Sequence, residues 1–175
     1  MMKLKILVFE YITGGGCNRA ELPESLAREG LLMLQALLDD LAELHHAEIV
    51  LMLDERMQGS IRLPRDCQLH LLMPKHDILV VFDGLIAESD AVWPLAPETG
   101  GLLAGLCRRV ENRGKRLLCP RANAVDITGD KWRCYRHLEQ CGVPTVPTFL
   151  PENFIFTEGE WLVKPRDGAG ALDTL

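Results

Sequence analysis

The chain has 175 residues, of which 47% are hydrophobic and 25% charged, and this balance is typical of a folded globular protein. The net charge of −6 is uneven, because residues 1–100 carry 8 Lys and Arg against 16 Asp and Glu, whereas residues 101–175 carry 11 against 9. The acidic first part argues against nucleic acid as a partner, and the basic excess of the second part suits a small anionic ligand.

Two further features bear on the location of the protein. The apolar run at positions 6–9 ends at Glu10, so it is too short for a signal peptide or a membrane span. The cysteines show no C-x-x-C spacing, which favours reduced structural thiols over disulfides or a zinc site; they are Cys17, Cys67, Cys107, Cys119, Cys134 and Cys141. We expect a soluble, cytoplasmic protein with no membrane partner.

The first third of the chain predicts a strand, a glycine turn, a helix and two more strands. A buried strand is expected over 3–9, a turn at Gly14, Gly15 and Gly16, and a long helix over 23–45. Strands are expected over 49–53 and 68–73. The three- and four-residue spacing of the helix predicts an inward face of Leu26, Gly30, Met33, Leu37, Leu41 and Leu44.

The next segment, 77–90, has the composition of a strand and also the spacing of a helix. We favour a helix, because a strand over 91–96 follows it. A helix ending at Arg113 and a strand over 115–119 come next. Strands that alternate with helices predict an α/β fold with an open, mostly parallel, Rossmann-like sheet. We expect this first domain to span residues 1–120 and to fold independently.

Residues 121–175 predict the beginning of a second domain. A helix is expected to open at Thr128, to place Trp132, Tyr135 and Leu138 on one face and to end at Gly142. A proline-rich linker over 143–151, a hairpin over 153–164 and a glycine loop over 166–170 follow. Because a hairpin cannot form an independent core, we expect the apolar faces here to lack partners within the chain.

The first glycine cluster is a candidate ligand loop, since glycine lets the backbone of a βα turn approach a ligand closely. A tight turn without a ligand is the alternative. The dinucleotide pattern G-x-G-x-x-G fails where Arg19 stands, and no acidic residue is pinned to the end of the second strand beyond Asp54. A dinucleotide-dependent oxidoreductase is therefore disfavoured, as is a Walker-type NTPase, whose motif is missing from the sequence.

Two lysines carry the stronger signal. Lys131 follows Thr128, Gly129 and Asp130 in the first turn of a predicted helix, where the helix dipole already favours an anion. Lys164 precedes Pro165 and the second glycine cluster, which includes Gly168 and Gly170. A lysine beside a glycine loop can bind phosphate groups. Taken alone, each lysine is more often a solvated surface charge, but the two together, in this order and at this separation, favour phosphate binding.

These strings resemble the ATP-grasp superfamily. The resemblance rests on T-G-D-K at 128–131, G-V-P-T-V-P at 142–147 and W-L-V-K-P-R-D-G-A-G at 161–170. It implies that Lys131 and Lys164 contact the ATP phosphates and that the loop with Gly168 and Gly170 closes over them. The fold it implies is a pre-ATP-grasp domain followed by the beginning of an ATP-grasp domain.

The strings F-E-Y-I-T-G-G-G at 9–16 and A-P-E-T-G-G at 96–101 are similar to ATP-grasp ligases of the tyramine-glutamate ligase type. That type belongs to methanofuran biosynthesis, with relatives tied to methanopterin-dependent one-carbon metabolism. The resemblance implies an ATP-dependent ligase that joins a small-molecule carboxylate to an amine through an acyl phosphate. It also implies a need for Mg²⁺, whose ligands we expect beyond Leu175, with none in this chain.

We expect the acceptor substrate to lie against the first domain, because ligands of open α/β sheets bind beyond the carboxyl ends of the strands. Gly14, Gly15 and Gly16 and the turn at 97–100 would line it, and Glu10 or Glu98 would bind the amine. Glu98 is equally explained as a helix-capping carboxylate.

A non-catalytic α/β module that binds a metabolite or a partner protein is the alternative from another class. We expect the 175-residue chain by itself to be inactive and to bind ATP weakly. A homo-oligomer also remains open, because exposed apolar faces could pair with another copy.

Overall fold

The computed structural model describes residues 3–155 and 158–168, and in it helices cover both faces of one five-stranded sheet. The strands are β1 (Leu4–Glu10), β2 (Ala47–Asp54), β3 (Gln68–Leu72), β4 (Ala91–Leu95) and β5 (Arg116–Leu117). The helices are α1 (Glu24–Ala42), α2 (Ile78–Glu88), α3 (Leu102–Asn112), α4 (Ala122–Thr128) and α5 (Lys131–Gln140). Within these described ranges, no helix is both long enough and apolar enough to cross a membrane.

The strand order is β3-β2-β1-β4-β5, and each neighbouring pair of strands is parallel. Val8 in the middle of β1 pairs with Leu51 of β2 on one side and with Trp93 of β4 on the other. The chain builds the sheet outward from β1 in one direction and then in the other, so a topological switch point lies between β1 and β4. The predicted α/β class with an open parallel sheet is confirmed.

Alternate residues of β1 enter two separate cores because successive side chains of a strand point to opposite faces. Leu7 and Phe9 pack with the core of α2 and α3, which includes Phe82 and Ile86. On the other face, the core against α1 consists of residues from β1, β2, β4 and α1, among them Ile6, Val8, Leu34, Leu38 and Leu51. Both faces of β1 are therefore buried, as its run of apolar residues predicts.

The predicted inward face of α1 is wrong at three of its six positions. The structure buries Ala27, Gly30, Leu34, Leu38 and Leu41, whereas Leu26, Met33 and Leu44 are 43%, 46% and 52% exposed. A leucine-rich helix offers two overlapping stripes at the same spacing, so periodicity alone does not fix its rotation. The packing of Leu34 and Leu38 in the core against α1 marks the observed face.

The ambiguous segment at 77–90 forms α2, which confirms the helix prediction. Its first turn is capped by Asp77, whose carboxylate accepts hydrogen bonds from the backbone N–H groups of Leu79 and Val80 at 3.0 and 3.2 Å. This cap is a local signal in the sequence, because Asp is a preferred N-cap residue.

The prediction that a helix opens at Thr128 is wrong, because one helix ends there and another begins at Lys131. The missed helix α4 has seven residues and no side-chain cap at its start. It is stabilised by tertiary packing, since its Ala122 and Val125 pack against Ala104 and Cys107 of α3. Because this helix is short and is stabilised by tertiary packing, the sequence carries no strong periodic pattern that would reveal it.

The predicted hairpin at 153–164 is not formed by the residues that the structure describes there, none of which is in a strand; Phe156 lies outside them. Instead, the rings of Phe149, Phe154 and Trp161 pack together, with 4.5 Å between the centroids of Phe154 and Trp161. The expectation that Phe154 and Trp161 lack partners within the chain is thus wrong. Isolated two-stranded hairpins are only marginally stable, and here the packing of aromatic rings takes the place of hydrogen bonds between strands. The division into 1–120 and 121–175 stays a prediction.

Candidate functional site

The candidate site lies at the edge of the sheet where β1 and β4 end. Glu10 and Leu95, the last residues of these strands, are paired, and the backbone N–H of Tyr11 donates to the carbonyl of Leu95 at 2.8 Å. The glycine turn that follows β1 and the turn that follows β4 therefore begin side by side. This edge, at the topological switch point, is where open α/β sheets bind ligands.

The turn after β1 is a single π-helical turn over Ile12–Gly16, wrapped around a buried carboxylate. Glu10 is 1% exposed and accepts hydrogen bonds from the N–H and Oγ1 of Thr13 at 2.7 and 2.6 Å and from the N–H of Ile12 at 3.2 Å. Glu10 thus binds the backbone of its own turn. Its predicted contact with a substrate amine stays a prediction.

The glycines of this turn are needed for packing. A Cβ at Gly14 would lie 2.7 Å from the ring of Phe9, and one at Gly15 would lie 2.8 Å from Cβ of Leu72. Gly15 also has a φ of 100°, a conformation that residues with a side chain rarely adopt. Gly16 is similarly close to Tyr11. The turn therefore presses its backbone against the core and leaves Gly14 and Gly15 buried.

Gly30 of α1 completes the packing around Glu10. A Cβ at this position would lie 2.6 Å from Oε2 of Glu10 and 3.2 Å from Cγ2 of Thr13. Because no side chain intervenes, α1 approaches the turn closely and shields the carboxylate from water.

A second buried carboxylate, that of Asp54 at the end of β2, is held by Arg56. Nε of Arg56 donates to Oδ1 at 2.9 Å and Nη2 donates to Oδ2 at 2.7 Å, and the same guanidinium also donates to the carbonyls of Cys17 and Ala20. Burial alone would raise the pKa of Asp54, but the hydrogen bonds from Arg56 outweigh burial and lower it. This pair ties the chain after the glycine turn to β2.

The Asp54–Arg56 pair also bears on the oxidoreductase alternative. In dinucleotide-binding folds, an acidic residue near this position binds the cofactor's ribose. Here both carboxylate oxygens of Asp54 are hydrogen-bonded to Arg56. Sequence reasoning missed Arg56, and no motif in the sequence marks it.

A cavity of about 200 Å³ opens beside the glycine turn, between the loop after β3 and the start of α3; its lining residues are Tyr11, Asn18, Arg19, His76, Asp77, Ile78, Leu79 and Leu102. The side-chain amide of Asn18 donates to the carbonyls of Met73 and His76 at 2.8 and 3.0 Å, which fixes the loop. Nε of Arg19 donates to the carbonyl of Pro74 at 2.9 Å. Burial raises the pKa of Tyr11, so its phenol stays protonated near neutral pH. In the sequence, Arg19 is notable only because it stands where the dinucleotide pattern requires its third glycine.

The second glycine loop contacts the start of α5. The backbone N–H of Lys131 donates to the carbonyl of Arg166 at 3.0 Å, and its Nζ donates to the carbonyl of Gly168 at 2.7 Å. The guanidinium of Arg166 donates to Oδ2 of Asp130 at 2.8 Å and lowers the pKa of that carboxyl. Asp130 also caps α5 by accepting from the N–H of Arg133 at 2.9 Å. Lys131 and Gly168, predicted to act together, therefore lie together.

The same loop also reaches the turn after β4. Oδ2 of Asp167 accepts a hydrogen bond from the backbone N–H of Gly100 at 2.8 Å. Glu98 is exposed in this turn and lies beside Gly129, whose Cβ would be 3.7 Å from the Glu98 carbonyl. Lys164 is exposed just before Pro165, and Gly170 lies outside the described residues. The structure thus brings Lys131, Gly168 and the Glu98 turn to one place.

The described residues do not supply a cluster of ligands that would fit a divalent cation. Over residues 3–155 and 158–168, no three His, Cys, Asp or Glu side chains come together as a metal site. The expectation that magnesium ligands lie beyond Leu175 stays a prediction.

Comparison with known proteins agrees with the fold. Residues 47–125 match the pre ATP-grasp 3 domain, while no curated protein sequence matches the chain. The structure is similar to that of an Archaeoglobus fulgidus protein assigned to the ATP-grasp superfamily, with a TM-score of 0.69 and 24% identity over 94% of this chain. The biotin carboxylase domain of Hydrogenobacter thermophilus 2-oxoglutarate carboxylase, in complex with MgADP, ADP and bicarbonate, has 19% identity over 84% of this chain and 29% of its own, with a TM-score of 0.48.

The likeness to the Archaeoglobus protein shows a shared fold, and this chain spans 47% of that protein's length. The matched domain includes β2 to β5 and runs into α4. The family match agrees with the pre-ATP-grasp domain that the sequence motifs predict.

Proposed function

We propose that this chain is the N-terminal part of an ATP-dependent ligase that joins a small-molecule carboxylate to an amine. The observation that carries the proposal is the contact between Lys131 and Gly168, with 2.7 Å between Nζ and the carbonyl oxygen. A cation at the start of a helix and a glycine loop above it form a place for phosphate groups. The matched pre ATP-grasp domain supports the same interpretation.

In this proposal, Lys131, Lys164 and the loop with Gly168 and Gly170 bind the ATP phosphates. The substrate carboxylate attacks the γ-phosphorus and releases ADP, which leaves an acyl phosphate. The amine then attacks the carbonyl carbon, inorganic phosphate leaves and an amide remains. Phosphoryl transfer needs mainly positioning and neutralisation of negative charge, and the two lysines supply positive charge. ATP-bound Mg²⁺ would add further neutralisation through ligands outside the described residues.

The carboxylate and amine would lie on the first domain, beside the turn with Gly14, Gly15 and Gly16 and beside Glu98. The cavity at Tyr11 and Arg19 is adjacent and combines a phenol and a guanidinium with apolar side chains. The strings at 9–16 and 96–101 support substrates of the tyramine-glutamate ligase type, in one-carbon cofactor biosynthesis. Glu98 is the better candidate for the amine, because it is exposed while Glu10 is bonded to its own turn.

The test is nucleotide binding and turnover by the full-length protein. Calorimetric titration with ATP and Mg²⁺ should show affinity at least about 10-fold lower in Lys131→Met and in Lys164→Met, since each removes a charged contact worth about 1.5 kcal/mol or more. Lys3→Met is the matched control, because Lys3 pairs with Asp66 at the opposite edge of the sheet. Sustained ADP release over many turnovers should require both a carboxylate and an amine, because without the amine the reaction stops at the acyl phosphate.

The outcomes separate the proposal from its alternative. Undetectable ATP binding, together with an unaltered Lys164→Met variant, would show that the chain is not part of an ATP-grasp enzyme. Binding of a metabolite or a partner protein without any ADP release would instead favour the non-catalytic module.

A further inference from the structure

Two thiols outside the proposed site lie in contact with each other. Sγ of Cys107 on α3 is 3.4 Å from Sγ of Cys119, which follows β5. Cys107 is fully buried, whereas Cys119 is half-buried. Both thiols are free, and the proposed function uses neither.

The pair lies at the joint between β5, α3 and α4, the helix that precedes Lys131. Cys107 packs with Ala104, Ala122 and Val125, and Cys119 lies against the same cluster. Pro120 and Arg121 follow Cys119 directly, and α4 starts at Ala122. Any change in the distance between the two sulfurs therefore acts on the packing of α3 against α4.

We propose that Cys107 and Cys119 are a redox modification site, at which a peroxide oxidant forms a reversible disulfide. The sulfurs need to approach by only about 1.4 Å, because a disulfide bond is about 2.05 Å long and they are 3.4 Å apart. The contact is already made across 12 residues of chain, so the bond needs no large rearrangement.

The chemistry assigns different roles to the two thiols. Hydrogen bonding from Cys107 lowers the pKa of Cys119, and Cys119 is also the more exposed, so its thiolate attacks the peroxide. One peroxide oxygen becomes a sulfenic acid on Cys119 and the other leaves as hydroxide, which is protonated to water. Cys107 then attacks the Cys119 sulfur and a second water leaves. Two electrons and two protons pass from the thiols to the peroxide.

The bond would close a short loop between Cys107 on α3 and Cys119, three residues before α4 begins. Cross-linking restricts the unfolded chain, so the oxidised protein should unfold at a temperature about 5 °C higher than the reduced protein. Dithiothreitol should restore the lower value.

Peptide mapping tests the site directly. Trypsin releases Cys107 in the fragment 76–108 and Cys119 in the fragment 117–121, and each fragment contains one cysteine. After treatment with hydrogen peroxide and blocking of free thiols, these two fragments should appear linked, with a mass 2 Da below their sum, and should separate on reduction. Linkage to Cys67, Cys134 or Cys141 should be several-fold rarer.

Two variants assign the roles. In Cys107→Ala, dimedone should label a sulfenic acid on Cys119, whereas in Cys119→Ala, Cys107 should stay a thiol. Cys134→Ala is the matched control and should form the linked pair as the wild type does. Free thiols at both positions in the oxidised wild type would overturn the site, and an unchanged melting temperature would overturn its effect on the joint.

Discussion

The two glycine loops have similar composition and opposite surroundings. In the first, over Ile12–Gly16, the backbone is pressed against Phe9 and Leu72 and wraps around the buried Glu10. In the second, Gly168 has a φ of 125°, and a Cβ there would meet no atom within 4 Å. Glycine is therefore needed for close packing in the first loop and for backbone conformation in the second.

This difference between the packed first loop and the open second loop indicates which of them is free to bind a ligand. The N–H groups of Ile12 and Thr13 already donate to Glu10, so a phosphate would have to displace a buried carboxylate. The second loop is held by polar contacts near the surface, through Arg166, Asp167 and Gly168. A ligand can replace such contacts at low cost, and this favours the second loop as the phosphate site.

The largest expected effect is that of Gly15→Ala in the first loop. The new Cβ would lie 2.8 Å from Cβ of Leu72 at a φ of 100°. Overpacking and left-handed strain together should lower the free energy of unfolding by about 4 kcal/mol. Urea denaturation monitored by circular dichroism measures the change.

Two glycines that do not pack against the core provide the controls. Gly84→Ala, in the exposed interior of α2, should raise the free energy of unfolding by up to about 1 kcal/mol, because alanine is the better helix former. Gly168→Ala should cost about 1 kcal/mol or less, because its loop can undock without disturbing the core. Equal losses at Gly15 and Gly168 would abolish the distinction between the loops.

The next largest loss of stability is expected from a change at Asp54, which supports the first loop through Arg56. Asp54→Asn leaves Arg56 without its charged partner and should lower the free energy of unfolding by about 2.5 kcal/mol at pH 7, somewhat less than for a fully buried pair, because Arg56 is partly exposed. Asp39→Asn, in an exposed pair with Arg62, is the matched control and should cost under about 0.5 kcal/mol.

The same pair predicts a pH dependence. The pKa of Asp54 is lowered in the folded protein, so its contribution is fully present above the unfolded value of about 3.9 and is lost as the pH falls through the folded value. The gap between wild type and Asp54→Asn should therefore be the same at pH 7 and pH 5 and shrink below about pH 4. A gap that widens in acid would show that the carboxylate is not stabilised by Arg56.

A smaller loss is expected from Thr13→Val, which removes one of the donors to Glu10. The hydroxyl donates at 2.6 Å in a buried site, and its loss should cost about 1.5 kcal/mol. The exposed Thr145→Val serves as the control, with little change expected. If both variants unfold alike, the carboxylate does not depend on this contact.

Much of the fold follows from local patterns in the sequence. The five strands and the helices α1, α2, α3 and α5 are marked by apolar runs, three- and four-residue spacing and stop signals such as Gly114. The rotation of α1 does not follow, because only the packing of Leu34 and Leu38 against the sheet distinguishes the observed stripe from its neighbour. The helix α4 does not follow either, because its stability comes from α3.

The candidate site was predictable to a similar degree. The contact between Lys131 and the second glycine loop follows from motif order, and the shared edge of the two turns follows from the parallel sheet. The roles of Arg56 and Asn18 could not be predicted, because each binds backbone carbonyls that only the fold brings near. The glycine content of a segment also does not distinguish a packed turn from an open loop.

The smallest effect on stability, and the sharpest test of the second loop, is expected from Asp167→Ala. Asp167 accepts one hydrogen bond, from the N–H of Gly100, on exposed residues, so the free energy of unfolding should change by less than about 0.5 kcal/mol. The loop itself should undock more often, because the loss of a contact worth about 1 kcal/mol raises the population of its undocked form roughly 5-fold. Native-state cleavage by trypsin after Arg166 should accelerate by that factor. Asp167→Asn keeps a carbonyl acceptor and should be cleaved at nearly the wild-type rate, whereas equal rates in all three proteins would show that Asp167 does not hold the loop.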